Sequence, residues 1–159
     1  MHRISVMVSD GYTKDEQIYE VYSNHLPTII SNTPRMALVG ELFKYQVRVE
    51  DLNEGANLKY NLIKGPHGMQ LDKSGKILWV PKAAQINYND FEVSVTDGYG
   101  TDIQSGRIFI NNPPSIISTP KPVGLTGHTW RYKLVTEDLN GDRVTYRAVR
   151  LPKFAKFDR

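Results

Sequence analysis

The chain has 159 residues, 40% hydrophobic and 23% charged, with a formal net charge of +3 from 20 basic and 17 acidic side chains. That balance is ordinary for a folded globular protein, and the interspersed charges make no basic run of the kind that binds nucleic acid or an anionic membrane. Cysteine is absent, which excludes disulfides and thiolate metal sites; no apolar stretch is long enough to span a bilayer, and no signal-peptide pattern is present.

In chain order, Ile4-Ser5-Val6-Met7-Val8 comes first and reads as a strand. Met1 closely precedes it, so the N-terminus is expected to be a cut through a longer chain. Asp10-Gly11-Tyr12 then marks a turn, and Gln17 to Tyr22 a second strand. Asn24-His25-Leu26-Pro27 is a junction, because proline stiffens a short linker and blocks strand pairing across it. Phe43-Lys44-Tyr45-Gln46-Val47-Arg48-Val49 alternates apolar and polar without a break, which puts one face in a core and the other in water.

Further strands are expected near Asn57 to Ile63 and Lys76 to Val80, with Trp79 in the core because it alternates with Ile77. Phe91 to Val95, Asp97-Gly98-Tyr99 and Ser105 to Ile110 repeat the strand–turn–strand arrangement of the opening segment. Asn111-Asn112-Pro113-Pro114 is a second junction, and Trp130-Arg131-Tyr132-Lys133-Leu134 a further alternating strand, with Trp130 expected in a core. No segment carries a sustained 3.6-residue apolar period. About seven short strands per unit point to an all-β antiparallel sandwich.

The similar stretches share one offset, 87 residues from Asp10 to Asp97 and from Pro27 to Pro114. Gly40-x-x-Phe43-x-Tyr45 returns as Gly127-x-x-Trp130-x-Tyr132, and Glu50-Asp51-Leu52-Asn53 returns unchanged as Glu137-Asp138-Leu139-Asn140. The first copy carries one extra residue in Asn53-Glu54-Gly55. Several matches at one offset are the mark of tandem repeats. The expected division is residues 1–24 as the last strands of one repeat, 25–112 as a complete repeat, and 113–159 as the first part of another.

These residues resemble the cadherin-like, Ig-like tandem repeats of large prokaryotic surface proteins, including the dystroglycan-type cadherin-like group. The resemblance rests on Val39-Gly40-x-x-Phe43-x-Tyr45-x-Val47, Glu50-Asp51 before an Asn/Gly turn, and Leu58-x-Tyr60-x-Leu62. It continues through Gly65-Pro66-x-Gly68-Met69-x-Leu71-Asp72, Ser74-Gly75-x-Ile77-x-Trp79-x-Pro81, and Val93-x-Val95-x-Asp97-Gly98. It implies an extracellular or cell-surface spacer or adhesive module with no catalytic residues.

The sharpest chemical candidate is calcium at Asp138, Asn140 and Asp142, where oxygen side chains two residues apart surround a glycine turn. The resemblance adds that related cadherin domains bind calcium at their junctions, where Asn111 and Asn112 stand here. Their acidic linker motif is missing, however, and Ala56 replaces a second acid in the middle repeat. The same residues also make an ordinary polar turn, which turn propensity favours. No other cofactor is implied. Asp-Gly-Tyr is read as a turn with its tyrosine packed over it. The four histidines show no metal spacing, and no nucleophile triad or glycine-rich phosphate loop is present.

The partners expected are neighbouring repeats of the same protein and a protein or glycan surface ligand, with no nucleic acid and no membrane insertion. Two alternatives stand beside the spacer reading: a subunit that self-associates by strand complementation through its incomplete repeats, and accessory repeats of a secreted hydrolase or protease.

Overall fold

The computed structural model of the chain describes residues 1–53 and 55–158. Glu54, in the one-residue insertion read from the sequence, and Arg159 lie outside the described residues.

The opening segment is a hairpin of β1 (His2–Ser9) and β2 (Lys14–Val21), paired over eight residues and exposed along both strands. The middle of the chain follows as β3 (Thr28–Ile29), β4 (Met36–Leu38), β5 (Phe43–Gln46), β6 (Val49–Glu50), β7 (Lys59–Lys64), β8 (Gln70–Leu71), β9 (Lys76–Trp79), a single 3-10 turn at Ala83–Gln85, β10 (Asn87–Thr96) and β11 (Thr101–Asn111). Two short strands, β12 (Ser115–Ile116) and β13 (Thr136–Glu137), end the list.

Two layers form the sandwich. One sheet has the order β4-β11-β10-β7, antiparallel except for the parallel edge pair β11–β4. Facing it is β5-β9-β8, with β3 paired to β6 beside it. The two-residue period of the strands decides what lies between the layers. Phe91, Val93, Ile108 and Ile110 point inward from one sheet, and Phe43, Tyr45, Ile77 and Trp79 from the other. Phe43 meets Trp79, and Tyr45 meets Phe91, edge to face at 6.2 Å between ring centres, the arrangement the ring quadrupoles favour. Gly106 leaves room for the Phe91 ring of its cross-strand partner in the same sheet, since a Cβ on it would lie 2.2 Å from that ring.

A polar lock crosses this core. The Tyr45 hydroxyl bonds to the Ser31 hydroxyl at 2.8 Å and to Gln104 Oε1, while the Arg48 amide donates to Ser31 Oγ. Burying these groups is tolerable because each has a partner.

The all-β antiparallel sandwich expected from the alternation is therefore present, and Trp79 is 1% exposed in its core. No described residue before Pro27 or after Ile110 is buried. One expectation needs correction. Trp130 to Leu134 forms no strand, and Trp130 is 48% exposed, whereas Phe43 at the matching place is 7% exposed. The reason is pairing: β5 is held by β9, whereas among the described residues no strand pairs with Trp130 to Leu134.

Candidate functional site

The residues proposed for calcium sit on the turn that follows β13. Asp138 Oδ1 accepts the backbone N–H groups of Asn140 at 3.0 Å and Asp142 at 3.1 Å, an Asx turn of the kind aspartate makes readily. The Asn140 side chain faces the second junction. Its Oδ1 accepts the Asn112 N–H at 2.6 Å, and its Nδ2 donates to the Ile110 carbonyl at 3.0 Å and to Asn87 Oδ1 at 3.3 Å. One of the three oxygens meant for a cation is thus committed to the linker. Among the described residues, no three His, Cys, Asp or Glu side chains gather in a metal-holding group.

The first copy of the turn repeats this geometry. Asp51 Oδ1 accepts the Asn53 N–H at 2.8 Å, Asn53 Oδ1 accepts the His25 N–H at 2.6 Å, and Asn53 Nδ2 donates to the Ser23 carbonyl at 3.4 Å. His25 and Ser23 stand 87 residues before Asn112 and Ile110. Asp51 Oδ2 is buried and has no partner, the one such side-chain atom among the described residues. It belongs to the copy in which the sequence has Ala56 rather than a second acid.

A third contact holds the first junction. Asn24 Nδ2 donates to Asp97 Oδ2 at 2.6 Å, while Asp97 Oδ1 caps the hairpin tip by accepting the N–H groups of Tyr99 and Gly100 at 2.8 Å. The Asn24 bond, followed by these backbone bonds, holds the Asp97 carboxyl below its usual range. Asp10 caps the first hairpin in the same way through Tyr12 and Thr13, and its carboxyl is also lowered, chiefly by the Thr13 amide. The turn chemistry read from Asp-Gly-Tyr is thus present, but the tyrosines do not pack over it. Tyr12 is 96% and Tyr99 84% exposed, because the backbone bonds to aspartate direct both rings into solvent.

The core lock recurs as well. Ser118 and Tyr132 bond through their hydroxyls at 2.6 Å, and the Val135 N–H donates to Ser118 Oγ at 2.8 Å, at the places of Ser31, Tyr45 and Arg48. Pairing of Ser115 with Glu137 and Ile116 with Thr136 copies that of Thr28 with Glu50 and Ile29 with Val49.

Sequence reasoning weighed the Asp-x-Asn turn both as a calcium site and as an ordinary polar turn, and did not find the linker contact of its asparagine. The signal it missed was that each Asn stands 28 residues after a linker residue, His25 or Asn112.

Two shallow, open depressions lie elsewhere on the surface. One is lined by Leu62, Met69, Gln70, Leu71, Asp72, Lys76 and Leu78. The other includes Lys64, Asp90 and Arg107, and its Arg107–Asp90 pair at 2.7 Å is exposed and adds little to stability. Neither brings together a nucleophile, a base and a group to orient it. No helix among the described residues is long and apolar enough to cross a membrane.

Residues 26–110, more than half of the chain, match the family described as "Putative Ig domain". No curated protein matches the chain in sequence. Among solved structures, the extracellular domains 3–5 of Drosophila OTK are similar with a TM-score of 0.53 at 3% identity, covering 68% of this chain and 39% of that one. An endo-fucoidan hydrolase of glycoside hydrolase family 107 has a TM-score of 0.44 at 21% identity over 70% of this chain and 19% of its own. Sidekick-1 immunoglobulin domains 1–4 have a TM-score of 0.46 at 12% identity, over 74% of this chain and 35% of theirs. The chain spans about a fifth of the hydrolase, and likenesses at these identities concern the fold alone.

Proposed function

The chain belongs to the "Putative Ig domain" family, and from that premise we propose that it is a non-catalytic stretch of a tandem array serving as a spacer or adhesive element on an extracellular or cell-surface protein. The finer grouping favoured is the cadherin-like one. The observation that carries this reading is the return of one hydrogen-bond set at one offset: the Ser–Tyr lock, the Asp-x-Asn turn and the Asp-Gly-Tyr cap. Residues 1–24 are read as the closing strands of one repeat, 25–112 as a complete repeat, and 113–159 as the opening part of the next. Such a unit has every strand it needs to bury its own core and meets its neighbours at the linkers and through single side-chain bonds such as Asn140 to Asn87.

The parent reading frame tests this directly. Further copies at the same offset on both sides are expected; a frame holding only these residues contradicts the array.

Calcium is the ligand for which Asp138, Asn140 and Asp142 are proposed, and the turn reading predicts its absence. Calorimetric titration with calcium, together with a thermal melt, should give no heat and no shift. Heat lost on Asp142→Asn would assign the ion to the second turn; heat lost on Asp51→Asn would assign it to the orphaned oxygen of the first. Turnover of polysaccharide or peptide substrates surviving purification would overturn the non-catalytic reading. A mass that grows with concentration in light scattering would favour self-association.

A further inference from the structure

We infer that Asn53 and Asn140 are inter-repeat clasps: each belongs to the turn of one repeat and holds the backbone of the linker entering that repeat. The inference rests on the tandem reading and gives it a mechanical consequence. The geometry occurs twice in one chain. In each case the amide oxygen accepts the N–H of the residue two before a proline, and the amide nitrogen donates to the carbonyl two residues earlier still. His25 precedes Pro27 by two residues, and Asn112 precedes Pro114 by two.

The chemistry explains why asparagine stands there. A linker residue beside a proline has no strand neighbour across the junction, so its N–H needs a partner from elsewhere. The carbonyl that the same amide reaches belongs to the linker at the first junction, Ser23, and to the end of β11 at the second, Ile110. One primary amide supplies an acceptor and a donor on a single rigid plane. Aspartate could accept from the N–H but could not donate to the carbonyl; alanine could do neither. The Asp at the start of the same turn fixes where that amide sits, because Asp51 Oδ1 and Asp138 Oδ1 bind the Asn backbone N–H. At the first junction Asp97 adds a second grip through Asn24, so the linker is held from two loops of the repeat it enters. At the second junction Asn140 also reaches Asn87 on β10, a residue of the preceding repeat. The repeats are therefore joined by their own side chains, Asn140 among them.

Amide hydrogen exchange and nitrogen-15 relaxation on the full chain test this. Asn53→Ala should speed exchange of the His25 N–H about fivefold to tenfold, the loss of one ordinary hydrogen bond, and raise fast motion at residues 23–25 while leaving 110–112 unchanged. Asn140→Ala should do the converse at Asn112. Asn→Asp at either place should keep most of the N–H protection, which a merely destabilised turn would not. Unchanged linker exchange and relaxation in both alanine variants would overturn the clasp. A fragment 25–112 that does not fold would instead sink the tandem reading, so the two failures are told apart.

Discussion

Four aspartates have carboxyls held below their usual range, and in each a hydrogen bond leads the causes: Asp10, Asp72, Asp90 and Asp97. Asp97 differs in that its first partner, Asn24, lies outside its own hairpin. A carboxyl depressed in the folded state contributes stability that is complete above its unfolded value, near about pH 4, and lost as pH falls through the lower folded value. The melting midpoint should therefore fall on acidification below about pH 5, and the Asn24 side-chain amide resonance should shift with it. Asp97→Asn should flatten part of that fall. An equal acid slope in the variant and an unmoved Asn24 signal would show that the bond does not survive in solution.

At the scale of elements, one residue pattern behaves differently in its two copies. Phe43 sits between two sheets, and Trp130, at the equivalent place, keeps its ring against Tyr132 at 6.1 Å with only its indole N–H bonded, to the Lys121 carbonyl. Phe43→Ala should cost about 3–5 kcal/mol, the usual cost of removing a buried aromatic ring. Trp130→Ala should cost less than about 1 kcal/mol, as surface substitutions do. Chemical denaturation of both variants checks this; equal losses would mean the last segment is packed as tightly as the middle one.

The same contrast shows what the sequence could reveal. Alternation, together with the Asp-Gly turn signals, located β1, β2, β5, β7, β9, β10 and β11 and buried Trp79, because a two-residue period needs only a facing layer to be satisfied. It misplaced Trp130 because periodicity records which face is apolar and not whether a covering strand exists. It misjudged Tyr12 and Tyr99 because the aspartate bonds that aim those rings outward are backbone geometry, invisible in a tripeptide. The candidate site was half legible: the recurrence of Asp-Leu-Asn was plain, but a contact between Asn140 and a residue 28 positions earlier follows from the sandwich bringing turn and linker together.

For the whole molecule, burial is confined to one stretch. Every buried residue among those described lies from Pro27 to Ile110, and a single cluster that includes Phe43, Ile77, Trp79, Phe91 and Ile110 joins both sheets. The flanking hairpin and the final segment add linker contacts but no core. A two-stranded hairpin alone is marginal in water, so the flanks should contribute little to the cooperative unfolding of the middle. The most direct measurement is the unfolding of residues 25–112 expressed alone, beside the full chain, by calorimetry. The account predicts one cooperative transition for the fragment, at a midpoint within a few degrees of the main transition of the full chain. An unfolded fragment, or one whose transition is lost without the flanking segments, would contradict it.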